Sequence, residues 1–176
     1  MAYMGSEEYS IWIMPDMPTS DKLQGIITGL SKEYGSPNFK PHITLIGRVA
    51  GAKDQVIQKT KELTWRISPF SIRFGGIATA DKYFRCVFVK VDREMGIMTA
   101  NSVAAGIFGA ESNGYAPHIS LLYGDFPQEK RSEIAKKVEE DGDPSGAFHA
   151  ETIRLYMTSG KPAEWKLIEE FTLNGP

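Results

Sequence analysis

Two histidines of this chain stand in nearly the same short phrase, and they are the residues best suited to chemistry. The phrase reads Pro-His-Ile-Thr-Leu at 41–45 and Pro-His-Ile-Ser-Leu at 117–121, in a chain of 176 residues that has only three histidines. Imidazole has an ordinary pKa near ~6.5, so two such rings can hold one proton between them near neutral pH. We therefore predict that His42 and His118 form a general acid–base pair.

Each histidine is followed two positions later by a hydroxyl residue, Thr44 or Ser120. Both phrases are mostly apolar, partly β-branched and soon ended by glycine, which is typical of short strands. Alternate residues of a strand leave the same face, so each strand is predicted to present a histidine and a hydroxyl on one face and apolar residues on the other. Two such half-sites facing one cleft suit in-line displacement at phosphorus without a metal, with hydroxyl donors where negative charge develops.

The elements that must position these residues alternate between strands and helices. Strands are predicted at 9–14, 41–47, 70–78, 83–91, 117–124, 148–157 and 164–173, and helices at 19–34, 52–63, 93–108 and 127–141. With the repeated phrase, this order predicts an α+β fold, a single bilobal domain over 1–176. Two pseudo-symmetric antiparallel sheets would face a central cleft, with the helices on the outside.

The composition limits the partners and the compartment. The chain is 41% hydrophobic and 24% charged with a formal net charge of −2, a balance that disfavours binding along a long polyanion but allows a small anionic substrate. The single cysteine, Cys86, excludes an internal disulfide and fits a reducing compartment. No apolar run has membrane-spanning length, and residues 1–8 lack the features of a signal peptide. We expect a cytoplasmic monomer that does not associate with membranes.

The pair of His-x-(Thr/Ser) motifs, each preceded by proline and separated by a little under half the chain, resembles the two-histidine (2H) phosphoesterase superfamily. Within it the sequence is most similar to the cyclic phosphodiesterase family. The resemblance covers nearly the whole chain and includes the segments 9–12, 39–44, 83–88 and 115–123. It implies hydrolysis of a nucleoside 2′,3′-cyclic phosphate or of ADP-ribose 1″,2″-cyclic phosphate to the 2′- (or 1″-) phosphomonoester, without a metal or other cofactor.

The resemblance also implies roles for individual residues. The family's four motif positions are occupied by His42, Thr44, His118 and Ser120. Tyr123 falls where the family has an aromatic residue on a mobile loop by the substrate, which requires Tyr123 to lie past the end of its strand. Trp12 and Tyr83 resemble positions whose rings line the nucleoside pocket. The lone Cys86 departs from the plant members, which carry several cysteines, so redox control by internal disulfides is excluded.

Other interpretations of the same residues remain open. The two histidines would be structural if their rings only satisfy local hydrogen bonds. A zinc site would need more ligands, yet no Asp or Glu stands at ligand spacing next to either histidine, and His149 fits a surface position better. Cys86 fits a buried small apolar residue better than a nucleophile. Arg85 either contacts a phosphate or pairs with an acid.

Two alternative functions follow from these readings. An RNA-end 2′,3′-cyclic phosphodiesterase or a 2′–5′ RNA ligase of the same superfamily would make RNA ends a partner. The net negative charge of the chain, however, disfavours binding to a polyanion. A non-catalytic nucleotide-binding module would use the same scaffold, although the intact histidine and hydroxyl pairs favour an enzyme. No glycine-rich phosphate loop followed by Lys and Ser/Thr is present, which disfavours an ATP-dependent kinase or ligase of that kind.

Overall fold

The computed structural model describes residues 6–142 and 144–176, which contain four helices and eight strands. The helices are α1 Thr19–Tyr34, α2 Lys53–Arg66, α3 Met95–Phe108 and α4 Gln128–Gly142. The strands are β1 Glu8–Ile13, β2 Ile43–Ala50, β3 Phe70–Thr79, β4 Val87–Val91, β5 His118–Leu122, β6 Ala147–Ala150, β7 Thr152–Met157 and β8 Lys166–Thr172. Residues 1–5, part of the stretch predicted to lack a signal peptide, and Asp143, beside the predicted end of α4, lie outside the described residues.

The eight strands form one antiparallel sheet in the order β6-β3-β4-β5-β2-β1-β7-β8. The two strands that carry the repeated phrase are the central neighbours, and they join at a single paired position, Ile43 with Ile119. The sheet therefore consists of two four-stranded halves that meet at the two motifs. The predicted α+β class is confirmed, with the two expected sheets connected through this pair into one.

The two halves of the sheet are not two consecutive halves of the chain. Strand β3 follows the first repeat but pairs with β4, and β7 follows the second repeat but pairs with β1. The helices cross over in the same way, since α1 packs against β5 and α3 packs against β2. The first part of the chain thus contributes β3 and α1 to the half of the sheet that carries the second motif. The second part contributes β7, β8 and α3 to the half that carries the first motif, so β2 and β5 are linked from both sides.

The apolar residues of the two phrases fix which face the polar ones present. Ile43, Leu45, Ile119 and Leu121 are all completely buried on the face opposite the cleft. Burying a side chain of this kind stabilises a fold by about 1.5–3 kcal/mol, and a shift of one residue would expose it. The alternation predicted for the two strands is confirmed.

Two predicted strands differ from the structure. The segment predicted to begin a strand at Tyr83 forms a 3-10 turn over Tyr83–Arg85, and β4 begins only at Val87. The backbone N–H of Arg85 donates to the Lys82 carbonyl (3.0 Å), which closes the turn in place of a ladder bond. The segment predicted as one strand over 148–157 is interrupted at Glu151, because β6 pairs with β3 and β7 with β1 in opposite halves.

None of the helices in residues 6–142 and 144–176 is both long enough and apolar enough to cross a bilayer. The cytoplasmic location and the monomeric state stay predictions.

Candidate active site

The two histidines lie at the centre of the sheet, arranged about the Ile43–Ile119 pair. His42 directly precedes β2 and His118 is the first residue of β5. Since the register is antiparallel, one step from the paired isoleucines sets His42 opposite Ser120 and Thr44 opposite His118. Each histidine is thus set beside the hydroxyl residue of the other phrase.

A cavity of about 860 Å³ opens over this crossed arrangement, and we call it the cleft. All seven residues predicted for the site line it: Trp12, His42, Thr44, Tyr83, His118, Ser120 and Tyr123. Its charged lining consists of Arg48, Lys82 and Arg85 against one acid, Glu8. A protein with a net charge of −2 therefore has a locally cationic cleft, as a small anion requires.

Both imidazoles are held by the same nitrogen. Nδ1 of His42 lies 2.7 Å from the Lys40 carbonyl oxygen, and Nδ1 of His118 lies 2.8 Å from the Ala116 carbonyl oxygen. Because a carbonyl can only accept, Nδ1 is the donor and carries the proton in each neutral ring. This assignment leaves Nε2 of each neutral ring unprotonated and able to accept a proton.

Aromatic packing buries the His42 ring. The Trp12 indole stacks on the His42 ring with centroids 3.5 Å apart and planes 10° apart, and Tyr156 stacks on the other face of Trp12 at 3.9 Å. Burial, together with a smaller contribution from the nearby His118, lowers the pKa of His42 to about 4. Burial also lowers the pKa of His118, helped by the positive charges of Arg85 and Lys82.

The two hydroxyl residues have different surroundings. Ser120 is buried, and its Oγ donates to the Phe84 carbonyl oxygen at 2.6 Å. Thr44 is half-buried on the cleft face, and its carbonyl oxygen accepts a hydrogen bond from Tyr115 Oη at 2.9 Å. Tyr115 belongs to the segment that leads into the second phrase, so this bond joins the two phrases directly.

Replacing Tyr115 by phenylalanine is expected to lower the free energy of unfolding by about 1 kcal/mol, the ordinary net contribution of a neutral hydrogen bond. The midpoint of urea denaturation measures this loss. Tyr83→Phe removes a hydroxyl at a half-exposed position of the same cleft and is expected to change the midpoint little. Equal midpoints for the two variants would mean that the Tyr115 bond contributes nothing to holding the phrases together.

Five aromatic residues of the cleft lining form what we call the aromatic wall: Trp12, Tyr83, Phe84, Tyr123 and Trp165. Tyr123 lies directly after β5, past the end of the strand as its expected role requires, and stacks on Phe39 with centroids 3.7 Å apart. Trp12 is buried with both faces covered, so it reaches the cleft by an edge, whereas Tyr83 is 38% exposed. Trp165, 6.1 Å from Tyr123 between centroids, completes the wall.

Several lining residues were missed by the sequence analysis. Arg48 has a φ of 55° in an irregular stretch of β2, where one extra residue stands between the positions paired with Tyr9 and Ile11. Such a bulge re-aims a side chain, and Gly47 within the strand was the signal that could have indicated it. Trp165 follows a 3-10 turn at Pro162–Glu164 and carried no comparable signal.

The competing interpretations of single residues have the following outcomes. Cys86 is buried, its Sγ donates to the Leu122 carbonyl, and burial raises its pKa to about 11, so the prediction of a small buried residue is confirmed. His149 is exposed on β6, with Nδ1 3.5 Å from Ser71 Oγ. Outside residues 1–5 and Asp143, no three His, Cys, Asp or Glu side chains cluster as a metal site would require.

Curated relatives cover most of the chain. A cyclic phosphodiesterase of Arabidopsis thaliana is 22% identical over 138 residues, 78% of this chain and 76% of that protein. A 2′,3′-cyclic-nucleotide 3′-phosphodiesterase of Neurospora crassa is 25% identical over 210 aligned residues, 93% of this chain and 98% of that protein.

Solved structures have the same fold. E. coli LigT complexed with NADP⁺ superposes with a TM-score of 0.62 at 12% identity, over 96% of this chain and 98% of that chain. LigT complexed with 3′-AMP gives a TM-score of 0.62 at 13% identity over the same shares. The model of the family described as cyclic phosphodiesterase-like protein matches residues 4–173. The chain therefore belongs to the cyclic phosphodiesterase-like protein family, and the predicted membership of the two-histidine phosphoesterases is confirmed.

Proposed function

We propose that the protein hydrolyses a cyclic phosphate on ribose, in a nucleoside 2′,3′-cyclic phosphate or in ADP-ribose 1″,2″-cyclic phosphate, to the 2′- (or 1″-) phosphomonoester without a metal. The observation that carries the proposal is the crossed arrangement of two histidines and two hydroxyl residues about Ile43 and Ile119. The name of the Neurospora crassa relative, which specifies a 2′,3′-cyclic nucleotide and its 3′ ester, supports the same substrate and the same broken bond.

Two imidazoles account for both proton transfers of the proposed reaction. A water oxygen attacks phosphorus opposite the 3′ oxygen, and a neutral imidazole takes the water proton on Nε2. The bond between phosphorus and the 3′ oxygen breaks with its electron pair on that oxygen, which receives the Nε2 proton of the second, protonated imidazole. Each transfer contributes about 10²–10⁴-fold to the rate. His42 and His118 suit both tasks because each presents Nε2 and anchors Nδ1 on a carbonyl.

The non-bridging phosphate oxygens are held by hydroxyls and a cation. Thr44 donates its hydroxyl proton directly, while Ser120 does so after its hydroxyl turns away from the Phe84 carbonyl. Arg85 adds a positive charge beside His118, and its buried Nε has no hydrogen-bond partner among residues 6–142 and 144–176. An acceptor such as a phosphate oxygen satisfies a buried donor of this kind.

The nucleoside is held by the aromatic wall. Tyr83 is partly exposed and stands in contact with Phe84, with ring centroids 4.9 Å apart. A base or ribose stacks against these rings and against Trp165, since every base offers a π-face. Trp12 contributes an edge to the pocket, and its main effect is on His42, whose ring it covers.

The pH dependence of kcat/KM follows from the two lowered pKa values. Catalysis requires one neutral and one protonated imidazole, whichever ring has which role. The fully protonated pair dominates below a pKa of about 4, and the fully neutral pair dominates above the second pKa, which lies below 6.5. We expect a bell-shaped profile with its maximum between these limits and a fall of about tenfold per pH unit on the alkaline side.

Initial rates on adenosine 2′,3′-cyclic phosphate from pH 3.5 to pH 9, at substrate concentrations far below KM, measure this profile. A maximum above pH 7.5 would mean that the histidine pair does not titrate as its burial requires.

Turnover of adenosine 2′,3′-cyclic phosphate in the presence of a chelator tests the proposed function, with the product identified by phosphorus NMR. Formation of the 2′-phosphate supports the proposal in full. Formation of the 3′-phosphate would preserve the class of reaction and contradict the bond that is broken. Binding without turnover of this substrate or of ADP-ribose 1″,2″-cyclic phosphate would indicate a nucleotide-binding module instead.

A further inference from the structure

Helix α4 carries an arginine on its inner face. Its buried residues, Arg131, Ile134 and Val138, recur at helical spacing, and the helix packs against β3 and β4. The lysines of α4 that form ion pairs lie towards solvent instead. Burying a guanidinium costs free energy unless its N–H groups find acceptors, so Arg131 must bond to acceptors within the fold.

One nitrogen of Arg131 bonds two segments at once. Nη1 donates to Asp81 Oδ1 at 2.8 Å and to the Phe126 carbonyl oxygen at 3.2 Å. The buried Nε has no hydrogen-bond partner in residues 6–142 and 144–176, so the guanidinium is held through Nη1. Asp81 directly precedes 82–85, four consecutive residues of the cleft lining, and Phe126 lies three residues after Tyr123 of the aromatic wall. The arginine thus connects the segment before the turn with the loop that follows β5.

On the side of β5, two hydrogen bonds attach the same turn. The Tyr83 carbonyl oxygen accepts from the Gly124 N–H at 2.9 Å, and the Phe84 carbonyl oxygen accepts from Ser120 Oγ at 2.6 Å. Ser120 belongs to the cleft, and it must release its carbonyl partner if its hydroxyl is to bind a phosphate as proposed. The attachment through Arg131 comes from α4, outside the cleft lining, and is retained when that serine bond is broken.

The turn brings two positive charges to His118. Lys82 and Arg85 both lower the pKa of this histidine, in addition to the larger effect of burial. Two further titratable groups face it: Lys90, directly opposite on β4, and His42, which precedes β2. Only the charges of the turn follow the segment that Arg131 holds, so a displaced turn would change the electrostatics at His118 and leave the other two groups in place.

We propose that Arg131, with Asp81 as its partner, is a positioning residue of the active site. It holds residues 82–85 against the cleft, so that the rings of the turn meet the nucleoside and Arg85 meets the phosphate. This inference rests on the proposed function. Because Asp81 is 95% exposed, solvent screens the ion pair, and its contribution to the free energy of unfolding is small. The effect of the pair is therefore expected in catalysis more than in stability.

The first measurement is kcat/KM for adenosine 2′,3′-cyclic phosphate. Arg131→Met fills the same space without donating and is expected to lower kcat/KM about tenfold, less than the roughly 10²-fold that a 1 Å displacement of a site can cost. Asp81→Ala is expected to lower it less, and the double variant no more than Arg131→Met alone. Asp81→Glu keeps the carboxylate and is expected to retain activity. Lys137→Met is the matched control, since it removes a cation of the same helix that pairs with Glu33 of α1 at 2.6 Å.

The second measurement distinguishes positioning from a loss of stability. NMR titration follows the Cε1–H signal of His118, which is assigned by its absence in His118→Ala. When the turn moves away, the positive charges of Lys82 and Arg85 recede, so the pKa of His118 is expected to rise towards its ordinary value in Arg131→Met. The alkaline limb of the kcat/KM profile is expected to move to higher pH with it. A folded variant that had only lost stability would keep the wild-type pKa.

The outcomes separate this inference from the proposed function, because the NMR titration needs no turnover. A raised pKa of His118 in Arg131→Met, with the wild-type value in Lys137→Met, supports the positioning role even if the substrate is not hydrolysed. An unchanged pKa overturns the role, and so does an unchanged kcat/KM in an enzyme that hydrolyses the substrate; either result leaves the hydrolysis standing. If Arg131→Met does not fold, Asp81→Ala, at an exposed residue, provides the same comparison.

Discussion

His42→Ala and His118→Ala are each expected to lower kcat for a nucleoside 2′,3′-cyclic phosphate by about 10²–10⁴-fold. The reason is the loss of one of the two proposed proton transfers, since each ring anchors Nδ1 on a carbonyl 2.7 or 2.8 Å away and so keeps Nε2 for the proton that we propose it transfers. The described lining of the cleft contains no third imidazole that could replace either ring.

The control for these variants is the third histidine. His149→Ala removes the same side chain from an exposed position on β6, at the edge of the sheet farthest from the cleft, and is expected to leave kcat unchanged. Because His42 stacks on Trp12, His42→Gln serves as a second variant that retains bulk and a hydrogen-bonding group. Melting curves show whether each variant is folded.

The double variant His42→Ala/His118→Ala is expected to lose little more than either single variant, since groups that act as a unit are not additive. Single variants that keep at least a third of the wild-type kcat while remaining folded would contradict the acid–base pair. A double variant whose loss equals the product of the two single losses would contradict their joint action.

The central part of the site was predictable because it depends on local pattern. The alternation of Ile43 and Leu45 with polar neighbours determines the face on which His42 and Thr44 lie, and the same holds for the second phrase. The end of β5 at Leu122 places Tyr123 beyond the strand, as the motif required. These features follow from three local properties of the sequence: a strand, the face that the strand buries, and a residue that ends the strand.

The rest of the site depends on contacts between distant segments, which periodicity does not contain. The exchange of β3 and β7 between the two halves brings the β7–β8 connection, and with it Trp165, onto a cleft built from β2 and β5. The turn at Tyr83–Arg85 has the composition of a strand, yet its backbone is bound by Ser120 Oγ, the Lys82 carbonyl and the Gly124 N–H and not by a regular strand ladder. Arg48 adopts its positive φ because the register of β1 and β2 shifts there.

The hydroxyl residues carry the second large prediction. Thr44→Val is expected to lower kcat by about 10²-fold, because the proposed hydroxyl donor to the phosphate is lost while the shape of the side chain is kept. Ser120→Ala is expected to lower kcat by a comparable factor and also to leave the Phe84 carbonyl without its donor. Thr44→Ser retains the hydroxyl and is the matched control, expected to stay within about threefold of wild type.

The pH profile distinguishes the loss of a donor from damage to the histidines. Neither Thr44 nor Ser120 is a cause of the lowered pKa of His42 or His118, which follows from burial and from the charges around the rings. Both limbs of the bell-shaped pH profile of kcat/KM are therefore expected to keep their positions on the pH axis in Thr44→Val. Only the maximal value of kcat/KM is expected to fall. A shift of either limb in Thr44→Val would mean that this hydroxyl acts by positioning an imidazole, and then the charge that builds on phosphate must be met chiefly by Arg85 and Ser120.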